Sequence, residues 1–435
     1  MTRSPLSQTS ICATMTSFAF ALLLAGFTTS AAAQSFQVLH DFTDGLDGSE
    51  PWATVTVDQA GNLYGTTIYG GGNNLGTVFK LTHRGSGWVF SPLYSFTNSD
   101  GVLTEAPLAI GPDGTLFGTT VYGGTAGIGT IYNVHPQSNP CRSVLCPWTE
   151  TVLHSFTGQP DGSEPGYGAL IFDSAGNGYG TTINGGANNG GGVYVLTRSQ
   201  QGWTESVAYS LSDLHTGTNP YGSLILDGAG NLYGTASSAG GNGAGAVYQL
   251  SRSGSGWTGM FLYTFPVRDL SAGAAPYGGV IFDASGNVYG TTTAGGSNGQ
   301  GTVYELTPSG GSWTESVLYS FGGTTTVGPK NSLTMDAAGN LYGTTFQGGA
   351  YQGGTVFRLS PSNGQWIYTD LHDFTGGSGG AFPLGGVAID ANGNLFGTAE
   401  IGGNTSGNCY PDGCGIVWEI TPELRTIRQP AFANR

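Results

Sequence analysis

Basic residues are scarce in this sequence, and their scarcity restricts the partners that it can have. Only 12 of the 435 residues are Lys or Arg, against 27 Asp or Glu, so the formal net charge is −15. The sequence has no basic run and no stripe of basic residues interleaved with aromatic ones. Nucleic acids and anionic membrane surfaces attract positively charged proteins. We therefore expect neither of them as a partner.

Long apolar runs are missing after residue 33, where no segment approaches the ~18 residues that a membrane-spanning helix needs. Residues 1–33 have the pattern of an export signal: Arg3, then an apolar segment over residues 15–27, then three alanines at residues 31–33. We expect this segment to be a signal peptide and the mature protein to be secreted, periplasmic or on the cell surface. The tail, residues 422–435, is short and polar, so we expect no membrane anchor there.

Cysteine is also rare, and its spacing is regular. Of the five cysteines, Cys12 lies in the expected signal peptide. The other four form two pairs with four residues between the partners, Cys141 with Cys146 and Cys409 with Cys414. An even number of cysteines in an exported chain favours local disulfides. The alternative is a zinc site of four thiolates that would join the two loops.

Charged residues make up only 9% of the chain and 78 residues are glycine, a composition that low-complexity chains share. The 21 Tyr, 21 Phe and 8 Trp argue against disorder, because they recur at regular positions and provide apolar surface to bury. One segment, D-x-x-G-N-L-Y-G-T-T at residues 58–67, occurs in seven related copies. Their central glycines are 53 to 62 residues apart, and this period is typical of a repeat array or a closed ring. These glycines are Gly65, Gly118, Gly180, Gly234, Gly290, Gly343 and Gly397.

The first complete unit predicts four short strands and no helix. Its β-prone segments lie at residues 51–57, 63–68, 77–81 and 88–96, with turn residues between them. No segment of the chain has a convincing helical periodicity. Four antiparallel strands in ~54 residues are typical of one blade of a β-propeller.

The order of the strands predicts a closed ring. Six units end with a fourth strand, whereas the last unit stops after its third strand, at residues 416–420, and the missing strand lies at residues 36–42. Pairing these two segments would remove both open sheet edges. We therefore predict an all-β fold over residues 34–421, a seven-bladed β-propeller of four-stranded antiparallel blades that the N-terminal strand closes. The units are predicted near residues 51–96, 107–156, 165–211, 220–265, 276–321, 329–374 and 383–420.

An aspartate begins the turn before the second strand in six of the seven units, and Gly111 replaces it in the second unit. Such a side chain accepts hydrogen bonds from backbone N–H groups ahead of it, and the glycine that follows tolerates a positive φ. We predict a structural role for these residues; a ring of metal-binding carboxylates is the alternative. The six residues are Asp58, Asp173, Asp227, Asp283, Asp336 and Asp390.

Four motifs together resemble the tandem repeats of the choice-of-anchor GloVer-repeat proteins. They are G-N-L-Y-G-T-T at residues 61–67, G-G-x-N-x-x-G at residues 70–76, G-T-V-F-x-L at residues 76–81 and L-Y-S-F at residues 93–96. Related motifs cover essentially all of residues 36–421. The resemblance implies an exported bacterial repeat protein without an assigned activity.

The candidate ligand residues lie in loops that a propeller places on one face. Residues 47–51 and 161–165 are the same acidic pentapeptide, D-G-S-E-P, and residues 100–105 are related to it. The loops between second and third strands on the same face are rich in Gly and Asn. We predict that this face binds carbohydrate, or else a surface protein, through carboxylates, amides and aromatic rings; the alternative is that these residues only form turns. The predicted residues are Asp47, Glu50, Tyr69, Asn73, Asn74, Asp100, Glu105, Tyr122, Asp161, Glu164, Asn188 and Asn189.

Other roles of this face stay open at this point. Calcium is a variant that would use Asp47, Glu50, Asp161 and Glu164, and we expect no other cofactor. A polysaccharide hydrolase or lyase is the competing class. It would require two of the glutamates Glu50, Glu105 and Glu164 to approach within ~5–10 Å. A purely structural surface protein is the third class. We expect a monomer in each case.

The histidines do not form an obvious catalytic cluster in the sequence. His40, His154 and His372 occupy the position that Tyr94 and its counterparts hold in the other units. We therefore interpret them as substitutes in a structural position. The sequence identifies no catalytic residue.

Overall fold

The protein folds into seven four-stranded antiparallel sheets, one for each predicted blade. The computed structural model describes residues 34–137, 148–212, 215–238, 243–254, 256–322, 328–409 and 411–421. The predicted signal peptide, the tail and the pair Cys141 and Cys146 lie outside the described residues.

Each blade is built from the same succession of strands. The innermost strands are β2 (Thr56–Val57), β6 (Ala109–Ile110), β10 (Ile171–Phe172), β14 (Ile225–Leu226), β18 (Ile281–Phe282), β22 (Thr334–Met335) and β26 (Ala388–Ile389). The second strands are β3 (Leu63–Thr67), β7 (Leu116–Thr120), β11 (Gly178–Thr182), β15 (Leu232–Ala236), β19 (Val288–Thr292), β23 (Leu341–Thr345) and β27 (Leu395–Ala399).

The outer half of each blade completes the sheet. The third strands are β4 (Thr77–Arg84), β8 (Thr130–His135), β12 (Gly192–Ser199), β16 (Ala246–Ser253), β20 (Thr302–Ser309), β24 (Thr355–Ser362) and β28 (Ile416–Thr421). The outermost strands are β5 (Gly87–Ser95), β9 (Thr149–Ser155), β13 (Gly202–Ser210), β17 (Gly256–Thr264), β21 (Ser312–Ser320), β25 (Gln365–Asp373) and β1 (Ser35–Asp41). Three short 3-10 turns occur among the described residues, at Leu270–Ala272, Gly377–Gly379 and Gly407–Cys409. No helix in the described part of the chain has the length and apolar character needed to cross a membrane.

The N-terminal strand closes the ring as predicted. The seventh sheet has the order β1-β28-β27-β26, and β1 pairs antiparallel with β28, with Phe36 opposite Ile420. The seventh blade also bonds to the first, because the Thr398 hydroxyl donates to the Ala53 carbonyl at 3.0 Å. The chain therefore forms the predicted seven-bladed β-propeller, and β28 is paired on both sides, with β1 and with β27.

The repeated G-T-T segment is explained by three different contacts. In the first blade, a Cβ added at Gly65 would overlap the Phe79 ring of the third strand, so only glycine fits there. The Thr66 hydroxyl donates to the Thr104 carbonyl of the next blade at 3.1 Å. The hydroxyls of Thr67 and Thr77 share a hydrogen bond of 2.9 Å inside the blade. The motif thus joins the strands of one blade and that blade to its neighbour.

The hydrophobic core is divided into seven clusters, each between two adjacent blades. One cluster contains Phe42 and Val417 from the last blade together with Leu63 and Phe79 from the first. Burial of apolar surface is the main favourable contribution to folding, so each blade is stabilised chiefly by its two neighbours.

The turn aspartates hold their own turns. Asp58 Oδ1 accepts from the backbone N–H groups of Ala60 and Asn62 at 2.9 and 2.8 Å, and its Oδ2 accepts from the Asn62 amide and the Tyr64 hydroxyl. Burial would raise the pKa of Asp58, but these hydrogen bonds outweigh it and hold the pKa below its usual value. The same backbone bonds occur at Asp173, Asp227, Asp283, Asp336 and Asp390.

Cys409 and Cys414 form the predicted local disulfide, with their Cα atoms 5.0 Å apart. Both cysteines are buried in the cluster between the last and first blades. The described pair is therefore a disulfide and does not contribute thiolates to a zinc site.

Candidate binding site in the central cavity

One cavity of about 920 Å³ is lined by residues from all seven blades, so it lies on the ring axis. In each blade, one residue a few positions before the innermost strand lies six positions before the turn aspartate. In the second blade the same distance is counted from Gly111, which replaces the aspartate. Because the blades repeat around the axis, these seven residues form a ring, and all of them line the cavity. We call this set the channel ring; it consists of Trp52, Glu105, Tyr167, Tyr221, Tyr277, Lys330 and Leu384.

Three tyrosines form an arc along one side of the channel ring. The rings of Tyr221 and Tyr277 stack with centroids 4.6 Å apart, and the rings of Tyr167 and Tyr221 lie 5.3 Å apart at 56°. Tyr167 is 42% exposed, so its ring faces open space. Burial of the hydroxyl and the nearby Glu105 carboxylate raise the pKa of Tyr167 above its usual value.

Glu105 places a carboxylate beside this arc. Burial raises the pKa of Glu105, a hydrogen bond with the Tyr167 hydroxyl opposes that effect, and the Glu164 carboxylate raises the pKa further. The Oε2 atom of Glu105 is buried and has no hydrogen-bond partner among the described residues. A buried acceptor without a partner is unfavourable, so a ligand donor at this atom would be stabilising.

Glu400 provides a second carboxyl group that lines the cavity. Burial raises the pKa of Glu400 to about 7, and the Glu50 carboxylate adds to this effect, while Lys330 and Trp52 oppose it. The Lys330 ammonium lies 4.4 Å from the centroid of the Phe346 ring, which also lines the cavity. The cavity wall therefore combines an acid that titrates near neutrality with a positively charged donor.

The structure brings only some of the predicted ligand residues near the cavity. Glu105 belongs to the channel ring, and Glu164 and Glu50 act electrostatically on Glu105 and Glu400. The Glu164 carboxylate accepts from the Asn184 amide at 2.9 Å. Burial raises the pKa of Glu50, and the Asp44 carboxylate raises it further.

A smaller cavity of about 450 Å³ contains another part of the predicted set. Glu50, Tyr69 and Asn74 line it together with the Cys409–Cys414 loop. Tyr69 is exposed, as is Tyr122, its counterpart in the second blade.

The predicted aspartates are bonded to residues of their own loops and of the strands just before those loops. Asp47 accepts from Thr43 and from His40, whose Nε2 lies at 3.1 Å. Asp161 accepts from Thr157 and from His154 in the same way. Asp100 accepts from the Tyr94 hydroxyl and from Thr97. These contacts match the turn-forming alternative, and among the described residues the four carboxylates considered for calcium do not form one cluster of ligands.

The predicted asparagines also stabilise their loops. Asn73 and Asn188 each donate to the backbone carbonyl at the end of the outermost strand, on Phe96 and Leu211 respectively. Asn74 and Asn189 have positive φ values of 58° and 54°, and Asn74 Oδ1 accepts from the Gly70 N–H. The amide groups of Asn73, Asn74 and Asn188 are therefore bonded to the backbone of the loop or of the adjacent strand end.

The sequence reasoning missed most of the channel ring. The signal was present, because Trp52 and three tyrosines stand at one fixed distance before the turn residue. Glu400 follows a second strand directly and had no repeated acidic counterpart to mark it.

Fold and repeat together define the class: a seven-bladed β-propeller whose blades are tandem repeats and whose central cavity carries aromatic and acidic side chains. The Gloeobacter/Verrucomicrobia repeat family matches residues 25–151 and 255–429, which is more than half of the chain. The chain belongs to this family, which confirms the resemblance found in the sequence. A comparison with curated proteins gave no match.

Solved structures are similar to this chain at low sequence identity. One is the extracellular domain of a protein assigned to the hybrid two-component systems of B. thetaiotaomicron, 12% identical with a TM-score of 0.53. That match covers 88% of this chain and 39% of the other, so this chain spans about two fifths of its length. Another is a protein of Bacteroides uniformis assigned as a 6-phosphogluconolactonase, 12% identical with a TM-score of 0.48, covering 75% of this chain and 84% of the other. The first likeness supports the fold alone.

Proposed function

We propose that the protein is an exported binding module whose central cavity takes a carbohydrate. The observation that carries the proposal is the channel ring, which puts four aromatic rings, one carboxylate and one ammonium group on the wall of a single cavity. Binding pockets for small molecules are mostly apolar, with a few polar groups that fix orientation. The volume of about 920 Å³ is large enough for a short oligosaccharide.

The chemistry of the ring suits a polyhydroxylated ligand. The tyrosine arc offers apolar aromatic surface for the C–H side of a sugar ring through the ring faces that do not stack on one another, and its hydroxyls offer hydrogen bonds. Glu105 Oε2 offers an unused acceptor for a sugar hydroxyl, and Lys330 offers donors. Glu50 and Glu164, which act electrostatically on the cavity glutamates, would extend the site toward the outer loops.

A second candidate function is hydrolysis of a polysaccharide. It is favoured by Glu400, whose pKa of about 7 keeps part of it protonated at neutral pH, as a general acid requires. Glu50 influences that pKa and would be the partner carboxylate.

A glycan array followed by calorimetry on the best ligand tests the binding proposal. Tyr221→Ala removes the central ring of the tyrosine arc, so we expect affinity to fall on the order of tenfold, as the loss of one aromatic stacking contact would predict. Tyr351→Ala is the matched control, because Tyr351 is 63% exposed and does not line the cavity. Equal loss of affinity in both variants, or no bound glycan on the array, would refute the proposal.

A reducing-sugar assay on the same glycans separates the two candidates. A binding module releases no sugar, and Glu400→Gln leaves its affinity within a few-fold. If the wild-type protein releases sugar and Glu400→Gln abolishes the release, the hydrolase is correct and the binding module is wrong.

A further inference from the structure

Three side chains that can ligate a metal converge between the second and third blades, away from the channel ring. His154 lies on β9, Asp161 lies in the loop that leads into the third blade, and Glu205 lies on β13. His154 Nε2 is 3.0 Å from Asp161 Oδ2 and 3.6 Å from Glu205 Oε2. One ligand atom from each residue lies within 4.8 Å of the others, and no other such cluster occurs among the described residues.

Glu205 is the member of this cluster whose buried carboxylate is not fully hydrogen-bonded. Its side chain is only 5% exposed, and its buried Oε1 has no hydrogen-bond partner in the described part of the chain. The other oxygen faces His154. A buried carboxylate without compensating donors is strongly unfavourable, so the arrangement needs a proton or a cation.

The groups around Glu205 do not supply that compensation. The buried Tyr194 hydroxyl on β12 also finds no hydrogen-bond partner among the residues that the structure describes, and the Glu205 carboxylate acts on it electrostatically. Asp161, whose oxygens also accept from Thr157, places a second carboxylate beside the first. With both carboxylates ionised, even a protonated His154 would leave the three groups with a net negative charge.

The other blade interfaces serve as internal comparisons. His40 and Asp47 repeat the first two members of the cluster, but Phe90 stands where the third blade has Glu205, and it stacks on His40 at 3.9 Å. His372 likewise stacks on Phe36 at 3.7 Å. At these two interfaces an aromatic ring covers the imidazole and no third ligand is present among the described residues.

The interface between the first and second blades keeps the carboxylate but changes the imidazole. Glu150 stands where the third blade has Glu205, with Asp100 nearby, but Tyr94 replaces the histidine. A neutral phenol is a poor metal ligand compared with imidazole. The full set of one imidazole and two carboxylates is therefore specific to His154, Asp161 and Glu205.

We propose that His154, Asp161 and Glu205 bind a Zn²⁺ ion that joins the second blade to the third. Imidazole nitrogen and carboxylate oxygen are ligands that zinc accepts, at ~2.0–2.2 Å, which places neighbouring tetrahedral ligands ~3.3 Å apart. The separations of 3.0 and 3.6 Å about His154 Nε2 bracket that value. Calcium and magnesium prefer sites made of oxygen alone, so the histidine favours zinc. Thr157 orients Asp161 in the way that outer hydrogen bonds orient metal ligands.

Zinc titration of the purified protein, after removal of metal by a chelator, tests the proposal. We expect one Zn²⁺ per chain and a thermal midpoint that rises with zinc and falls again with EDTA. His154→Tyr introduces tyrosine, which four other blades already have at this position, as Tyr94 in the first blade shows. We therefore expect this variant to fold. It should weaken zinc binding on the order of 100-fold or more, as should Glu205→Gln.

Glu150→Gln is the matched control, because it removes the equivalent carboxylate at an interface without a histidine. It should bind zinc like the wild-type protein, with the same circular dichroism spectrum. The proposal is wrong if the wild-type protein binds no zinc, or if His154→Tyr and Glu205→Gln bind it unchanged. It is also wrong if Cys141→Ser alone removes the zinc, since the metal would then be held by thiolates.

Discussion

The closure of the propeller can be tested by removing one buried aromatic side chain that directly follows the closing strand β1. Phe42 follows β1 and is fully buried between the last and first blades, with its centroid 5.3 Å from that of Phe79. A core Phe→Ala substitution destabilises a protein by about 3–5 kcal/mol, because it removes apolar contact and leaves a cavity. We therefore expect Phe42→Ala to lower the free energy of unfolding by that amount. Denaturant unfolding followed by tryptophan fluorescence measures it.

Phe156 provides the matched comparison for this measurement. It occupies the same position between the second and third blades and is also fully buried. Its strand β9 follows the other strands of the second blade in sequence, whereas β1 joins its blade from the other end of the propeller. If β1 closes the ring as tightly as any other strand, Phe42→Ala and Phe156→Ala will destabilise the protein equally within about 1 kcal/mol. If Phe42→Ala costs under about 1 kcal/mol while Phe156→Ala costs 3 or more, the closing strand contributes little and the reasoning is refuted.

Two further predictions concern the motif glycine and the cavity acid. Gly290→Ala should lower the free energy of unfolding by about 1–3 kcal/mol, because its Cβ would overlap the Tyr304 ring. At Gly228 an added Cβ meets no atom within 4 Å. Gly228→Ala should therefore change the free energy of unfolding by no more than about 0.5 kcal/mol in the same denaturant series. Because the pKa of Glu400 is raised from 4.5 to about 7, the folded state holds its proton more tightly than the unfolded state, and this contribution to stability is lost as pH rises through that interval. Glu400→Gln should remove that dependence, and an unchanged stability difference between the two proteins from pH 5 to pH 8 would contradict the assignment.

The fold could be predicted from the sequence because its determinants are local and repeated. The turn aspartates, the glycine under the third-strand aromatic residue and the two threonines recur in nearly every unit, so one unit explains the others. The closing strand was predictable for a similar reason, since the last unit lacks a segment that residues 36–42 supply.

The site was harder to predict because its determinants are neither local nor uniform. The channel ring varies from Trp52 to Leu384, so no shared residue type marks the position, and only the geometry of the ring gives it meaning. The acidic loops stood out in the sequence, yet Asp47 and Asp161 bond to residues of their own loops. Sequence cannot show whether a carboxylate points toward a ligand or back to its own turn.

His154 illustrates the same limit from another direction. The sequence correctly placed it in the same position as Tyr94, but its partner Glu205 lies in the next blade. That pairing depends on how the outermost strands of adjacent blades pack. It became visible only once the blades were placed side by side.

The pairing of β1 with β28 has a consequence for how the molecule is made. The Gln37 side chain donates to Glu419, 382 positions further along, so a strand at the start of the propeller must wait until the strand at its other end has been synthesised. Contacts this distant in sequence slow folding, because the whole intervening chain must be arranged before they form. A shortened or stalled chain would leave an uncovered strand ready to pair with another molecule. Synthesis of the whole stretch from residue 34 to residue 421 is thus a condition for closing the ring.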